Sequence, residues 1–262
     1  MEQISAEIRA EIERRLERVE HERGVRILFA CESGSRAWGF PSVNSDYDVR
    51  FLYASTPDCY LSVFAQRDVI EEPIVDEIDL SGWDLRKTLR LLYRSNPALL
   101  EWLSCPIVYR TDELALAPLL KLSEVAFSPL AAYHHYLAMA RQHVHRMGKD
   151  EEVKLKHYLY TLRPLLACQW ILSFQSQPPM LFGELLEQLL PPGSLLDCIE
   201  HLVALKSGER ETRKVPHVAE LDDFISSTYE SLASAPAPHP HAPLKPQFDA
   251  AFLEILHLAW RQ

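Results

Sequence analysis

Residues 33 to 50 read Ser-Gly-Ser-Arg-Ala-Trp-Gly-Phe-Pro-Ser-Val-Asn-Ser-Asp-Tyr-Asp-Val-Arg, and they hold the residue types from which a phosphate-handling site is made. A glycine lacks the Cβ that would hold a ligand off, so backbone N–H groups at Gly34 and Ser35 can approach an anion closely, and the serine hydroxyl adds a donor. This pair is expected to hold a triphosphate. Asp46 and Asp48 stand two residues apart. On a strand both carboxylates leave one face, while Val49, Phe51 and Tyr53 face the core. Two such carboxylates suit Mg²⁺ or Mn²⁺, because a hard cation takes a few carboxylates together with substrate phosphate oxygens. A metal pair clamps the attacking and leaving oxygens of an in-line displacement, which is phosphoryl or nucleotidyl transfer chemistry. Arg36 and Ser45 are candidates for phosphate contact, with a local ion pair and a turn as their structural alternatives. Arg50 shares the Asp48 face, where neutralising a carboxylate is the favoured role.

The elements that must position these residues follow from periodicity. Ile4, Ile8, Ile12, Leu16 and Val19 mark an amphipathic helix that Gly24 ends. The apolar run Val25 to Ala30 and the alternation through Val49, Phe51 and Tyr53 read as strands on either side of the segment. A third strand is expected from Ile74 to Leu80, with Ile78 and Leu80 on one face and Glu77 and Asp79 on the other. Ser81 and Asp84 resemble a capping box for a helix carrying Leu85, Leu89 and Leu92. Asn96 before Pro97 reads as a helix N-cap. After Ser128 no strand alternation appears, and helices are expected near 129–147, 151–175, 181–190, 194–206, 217–233 and 246–261, with Pro164 kinking or splitting the second. Residues 233 to 246 form a Pro-rich connector. The expected fold is α+β, a small mixed sheet with flanking helices in a domain over residues 1–125, then an all-helical domain over 126–262.

The formal net charge of −10 lacks the basic footprint of a protein that holds a long nucleic acid, and fits a small acceptor, a protein or only an RNA end. Five widely spaced cysteines without a Cys-x-x-Cys pair suggest neither a disulfide framework nor a zinc site. No apolar run is long enough to span a bilayer, and a cytoplasmic protein without a membrane partner is expected.

The Gly-Ser pair followed at a distance by Asp-x-Asp resembles the signature of the DNA polymerase beta-like nucleotidyltransferase superfamily. More closely, GSRAWGFPSVNSDYDVRFLY, IDLSGWDLRK, SNPALLEWL and KHYLYTLRPLL are similar to nucleotidyltransferases associated with RNA ligases. The resemblance implies a third carboxylate on a neighbouring strand that completes the metal site and accepts the acceptor hydroxyl's proton. Asp79 matches that place, with Glu77 as its rival. It also implies ATP or another nucleoside triphosphate as donor and an RNA end as acceptor. A protein or small-molecule acceptor is the alternative, as is a regulatory nucleotide-binding module without turnover, against which the intact carboxylates count. Lys87, soon after Asp79, is the expected triphosphate contact on its helix. Lys156, Tyr160 and Arg163 share one helix face and form a candidate nucleotide wall of one aromatic and two cations, with a surface helix under amphipathic cover as the structural alternative.

Overall fold

The computed structural model describes residues 4–64, 66–147, 152–210, 212–239 and 243–261. Helix α1 (Ala6–Arg23) starts where Ser5 accepts a hydrogen bond from the Ile8 N–H and ends at Gly24, whose φ of 61° is the left-handed cap that glycine adopts freely. Its stripe of Ile12, Leu16 and Val19 is buried. Strand β1 (Arg26–Glu32) runs into the short helix α2 (Gly34–Trp38), and β2 (Tyr47–Ala54) returns antiparallel to β1. After α3 (Pro57–Leu61) and β3 (Val69–Glu71), strand β4 (Ile78–Asp84) pairs parallel with β2. Helices α4 (Leu85–Tyr93) and α5 (Pro97–Leu103), strand β5 (Val108–Thr111) and helix α6 (Glu113–Ala126) complete this part. The sheet order is β3-β4-β2-β1-β5, with β2 and β4 its parallel pair and every other pairing antiparallel. Gly82 lies opposite Phe51 in that parallel pair, and a Cβ there would overlap the Phe51 ring, so the aromatic fills space that only glycine leaves open.

The second part holds α7 (Pro129–Met147), strand β6 (Glu152–Lys154), α8 (Leu155–Phe174), α9 (Phe182–Leu189), α10 (Ser194–Gly208), strand β7 (Lys214–Pro216) and α11 (Ala219–Ser234). The last helix is α12 (Lys245–Ala259). The molecule is α+β, a small mixed sheet with flanking helices followed by a helical region. The chain forms two compact units. One gathers the chain up to Ala37, Asp46–Ala126 and the final helix, and the other gathers Trp38–Ser45 and the chain from Phe127 through α11.

Several expectations change here. Helix α12 was expected with the helical domain but packs on α4 and α6, burying Phe248, Ala251 and Ile255 in the first unit. The helical region also contains a two-stranded ribbon, β6 with β7. Three-residue strands are too short to show alternation, and these two are some 60 residues apart in the chain. Pro164 does not split α8, which is continuous from Leu155 to Phe174; twelve of its residues are buried, and that packing outweighs the lost backbone hydrogen bond. The expected helix start at residue 151 lies outside the described residues. The third strand begins at Ile78 rather than Ile74, because Asp76 and Glu77 take positive φ values of 52° and 61° in a tight turn that closes the Val75–Ile78 bridge. The cap of α4 is Asp84 alone, accepting from the Arg86 N–H at 2.8 Å, while Ser81 lies within β4. Asn96 caps α5 as expected, accepting from the Leu99 N–H at 3.0 Å. Among the described residues no single helix is long and apolar enough to cross a membrane.

Candidate active site

The parallel register of β2 and β4 sets Asp48 directly beside Asp79. Arg50 forks between them. Its Nη2 donates to Asp48 Oδ1 at 3.0 Å and to Asp79 Oδ2 at 2.8 Å, and its Nη1 donates to the Asp79 carbonyl at 3.0 Å. Both carboxylates therefore sit on one face of the sheet, about a third exposed, with a guanidinium offsetting their repulsion. This is the neutralising role expected of Arg50.

Gly34 opens α2 with φ of 61°, and a Cβ at that position would overlap Asp48 Oδ2. The glycine thus does two things at once: it adopts the left-handed backbone and leaves the space the Asp48 carboxylate occupies. Ser35 behind it is buried, 4% exposed. Arg36 ties the two halves of the motif together, donating from Nε to the Asp46 carbonyl at 3.3 Å with its guanidinium 4.2 Å from the Tyr47 ring centroid. Ser45 is buried and accepts from the Ser42 N–H at 2.9 Å, the turn-fixing role. Asp46 is exposed and lies one residue before β2, the strand that carries Asp48.

Glu77, with its positive φ, is in the turn before β4 and exposed, whereas Asp79 is on the strand beside Asp48. Lys87 is not brought to this site. It lies beyond the Asp84 end of β4, about 16 Å along the strand from Asp79, and pairs with Asp68 at 3.1 Å. Lys156, Tyr160 and Arg163 belong to the helical unit. Arg163 is buried with its guanidinium 4.4 Å from the Trp38 ring centroid, and Tyr160 packs edge-on to Trp38 and Phe40, so these two build an aromatic cluster rather than an open wall. That cluster, with Lys206 donating to the Phe40 carbonyl at 2.9 Å and to Ser42 Oγ at 3.0 Å, holds the Trp38–Ser45 segment that links Gly34 to Asp46.

The sequence reading missed Glu32. It ends β1 fully buried, where its carboxylate accepts from the Asp48 N–H at 2.7 Å and from the Tyr109 hydroxyl. It therefore fixes the backbone that carries Asp48. Burial pushes its carboxyl up to about 7, against the hydrogen bonds from Tyr109 and Asp48 that favour the charged form. The signal in the sequence was an acidic residue at the end of an apolar strand, directly before Ser33 and Gly34. Because the folded carboxyl holds its proton to about pH 7 and the unfolded one only to its ordinary 4.5, the folded state binds more protons in that window. The stability this group contributes is fully present below pH 4.5 and is lost as pH rises through 7. In chelator, the melting temperature of Glu32→Gln should fall less than that of the wild type between pH 5 and 8. Parallel pH dependences for the two proteins would contradict this.

Among the described residues no three acidic, histidine or cysteine side chains converge as a ready metal cluster. Asp48 and Asp79 do converge, and Gly34 seats the Asp48 carboxylate beside Asp79; such a pair fits a cation that takes two protein carboxylates and completes its shell with substrate oxygens.

The model of the RNA repair pathway DNA polymerase beta family matches residues 8–254. An uncharacterised protein of Bacillus subtilis (strain 168), YcgL, is 47% identical over 220 residues, spanning 84% of this chain and 85% of that protein. A crystal structure of a nucleotidyltransferase-like protein from Exiguobacterium sibiricum 255-15 aligns over 85% of this chain and 78% of its own, with a TM-score of 0.31 and 13% identity. With a glycine seated against the first of two paired strand carboxylates and a family match over nearly its whole length, the chain belongs to the RNA repair pathway DNA polymerase beta family and is a nucleotidyltransferase.

Proposed function

We propose that the protein transfers a nucleoside monophosphate, AMP from ATP, to a hydroxyl at an RNA end. The observation that carries this reading is the Asp48–Asp79 pair in parallel register with Gly34 packed on Asp48. Asp48 and Asp79 would hold Mg²⁺ or Mn²⁺, with Asp46, two residues before Asp48, as a further carboxylate. The bound cation supplies charge compensation for the triphosphate and the departing pyrophosphate. The residues of the chain do the rest. The acceptor oxygen bonds to the α-phosphorus as the bridge to the β-phosphate breaks, pyrophosphate leaves, and the hydroxyl proton passes to the Asp79 carboxylate. Backbone N–H groups at Gly34 and Ser35, with Arg36, bind the phosphates. Glu32 keeps Asp48 in place from below, and Arg50 holds the carboxylates together before substrate arrives.

The acceptor is tested by incubating the pure protein with α-labelled ATP, Mg²⁺ and separate pools of RNA, protein and metabolites. Label is expected in the RNA pool. Label confined to protein or metabolites would overturn the acceptor assignment while leaving the transfer chemistry standing.

A further inference from the structure

Arg86 and Arg90, four residues apart, share one face of α4, and Arg94 follows as the residue that caps its C-terminus. Together with Lys245 at the start of α12 they line a cavity of about 560 Å³ within the first unit. Tyr93, Phe248 and Phe252 supply its aromatic wall, and Asp249 is the single acidic residue lining it. Arg86 shapes that wall, with its guanidinium 4.9 Å from the Tyr60 ring centroid and 5.5 Å from that of Phe252. Arg90, Arg94 and Lys245 are exposed and have no acidic side chain at ion-pair distance among the described residues. Lys245 leans instead over the Tyr93 ring, 6.0 Å from its centroid.

Like charges four residues apart on a helix repel, so Arg86 and Arg90 favour an anion beside them. That concentration is the more telling in a chain with 37 acidic and 27 basic residues. From Arg86 to Arg94 at the C-cap the three arginines spread over about 12 Å, so a chain of phosphates reaches all of them where one compact anion does not. Tyr93 and Phe252 are the half-buried rings of this wall, and rings beside cations are what unpaired bases stack on, which selects a single strand over a duplex. Helix α4 begins where β4 ends, about 16 Å along the strand from Asp79, so both belong to one strand–helix unit.

We propose that the α4–α12 cavity grips the phosphodiester backbone of a single-stranded RNA, the body of the acceptor whose end reacts at Asp79. This rests on the RNA-end reading given above. It assigns a binding role to Arg90, Arg94 and Lys245.

The test is fluorescence anisotropy of a short labelled single-stranded RNA, in chelator and without nucleotide, so that catalysis plays no part. Arg90→Ala/Arg94→Ala should raise the dissociation constant at least tenfold at low salt. The slope of log affinity against log salt should become shallower by about 1.4, since each phosphate contact on a single strand accounts for roughly 0.7. Lys245→Ala, on the other helix, should shift both quantities in the same direction. Unchanged affinity and slope in variants that melt like the wild type would overturn the proposal, as would equally tight binding of an acidic peptide. Unchanged binding in variants that still transfer label removes the cavity and leaves the RNA-end reading. Weakened binding by a protein that transfers no label to RNA does the reverse.

Discussion

Asp48→Asn is expected to abolish turnover while leaving the fold almost untouched. The substitution keeps the size and shape of the side chain and removes its charge, at the one carboxylate that contacts Arg50, lies beside Asp79 and fills the space left by Gly34. A bound cation contributes several kcal/mol to the transition state, and each 1.4 kcal/mol or so is tenfold in rate, so losing one charged ligand should lower the rate on the order of a hundredfold or more. Stability should change little. The Asp48–Arg50 pair is partly exposed, a setting in which ion pairs contribute roughly 0–1 kcal/mol, and Arg50 keeps its bond to Asp79 at 2.8 Å. Asp79→Asn should behave in the same way. Glu77→Gln should be mild, because Glu77 lies in the turn before β4 and not on the strand face. Pyrophosphate release and thermal melts of the three variants check this, and a dead Glu77→Gln beside an active Asp79→Asn would transfer the base to Glu77.

Gly34→Ala is the second large effect, and it separates geometry from charge. No titratable group changes. The added methyl meets the Asp48 carboxylate, and the backbone must hold φ of 61°, which costs an L-residue about 1–2 kcal/mol. A shift of that order lowers the melting temperature by several degrees in a protein of this size. Displacing Asp48 by even an ångström should cost on the order of a hundredfold in rate. Asp48→Asn and Gly34→Ala should thus be equally inactive but differ in stability, the glycine variant melting lower. A Gly34→Ala protein with wild-type turnover would show that the close approach to Asp48 has no catalytic role.

Much of the first unit could be read along the chain. The helix ending at Gly24, the strands flanking residues 33 to 50 and the cap at Asn96 are local: each depends on a few neighbouring residues, and periodicity and capping chemistry suffice to find them. The neighbouring strands that bring Asp48 to Asp79 were expected from the alternation and the resemblance together, whereas their parallel register is a tertiary fact. What escaped is non-local. Glu32 looks like the polar end of a strand until Tyr109, 77 residues on, is placed over it. Lys87 is near Asp79 in sequence, yet a strand carries the chain away at about 3.3 Å per residue, and five residues separate the two ends of the sheet. Tyr160 and Arg163 have the composition of a nucleotide wall, but Trp38 and Phe40 already occupy it. The final helix has an amphipathic stripe that fits either unit, and only packing on α4 and α6 decides between them.

The most direct measurement of metal-dependent nucleotidyl transfer at the Asp48–Asp79 pair follows two labels in parallel, one on the α-phosphate and one on the γ-phosphate of ATP, with an RNA acceptor. The expected result is that the α-label enters the RNA and the γ-label leaves as pyrophosphate, in Mg²⁺ but not in chelator, and not with Asp48→Asn. Appearance of the γ-label in the RNA, or α-label transfer that survives in chelator or in Asp48→Asn, would contradict it.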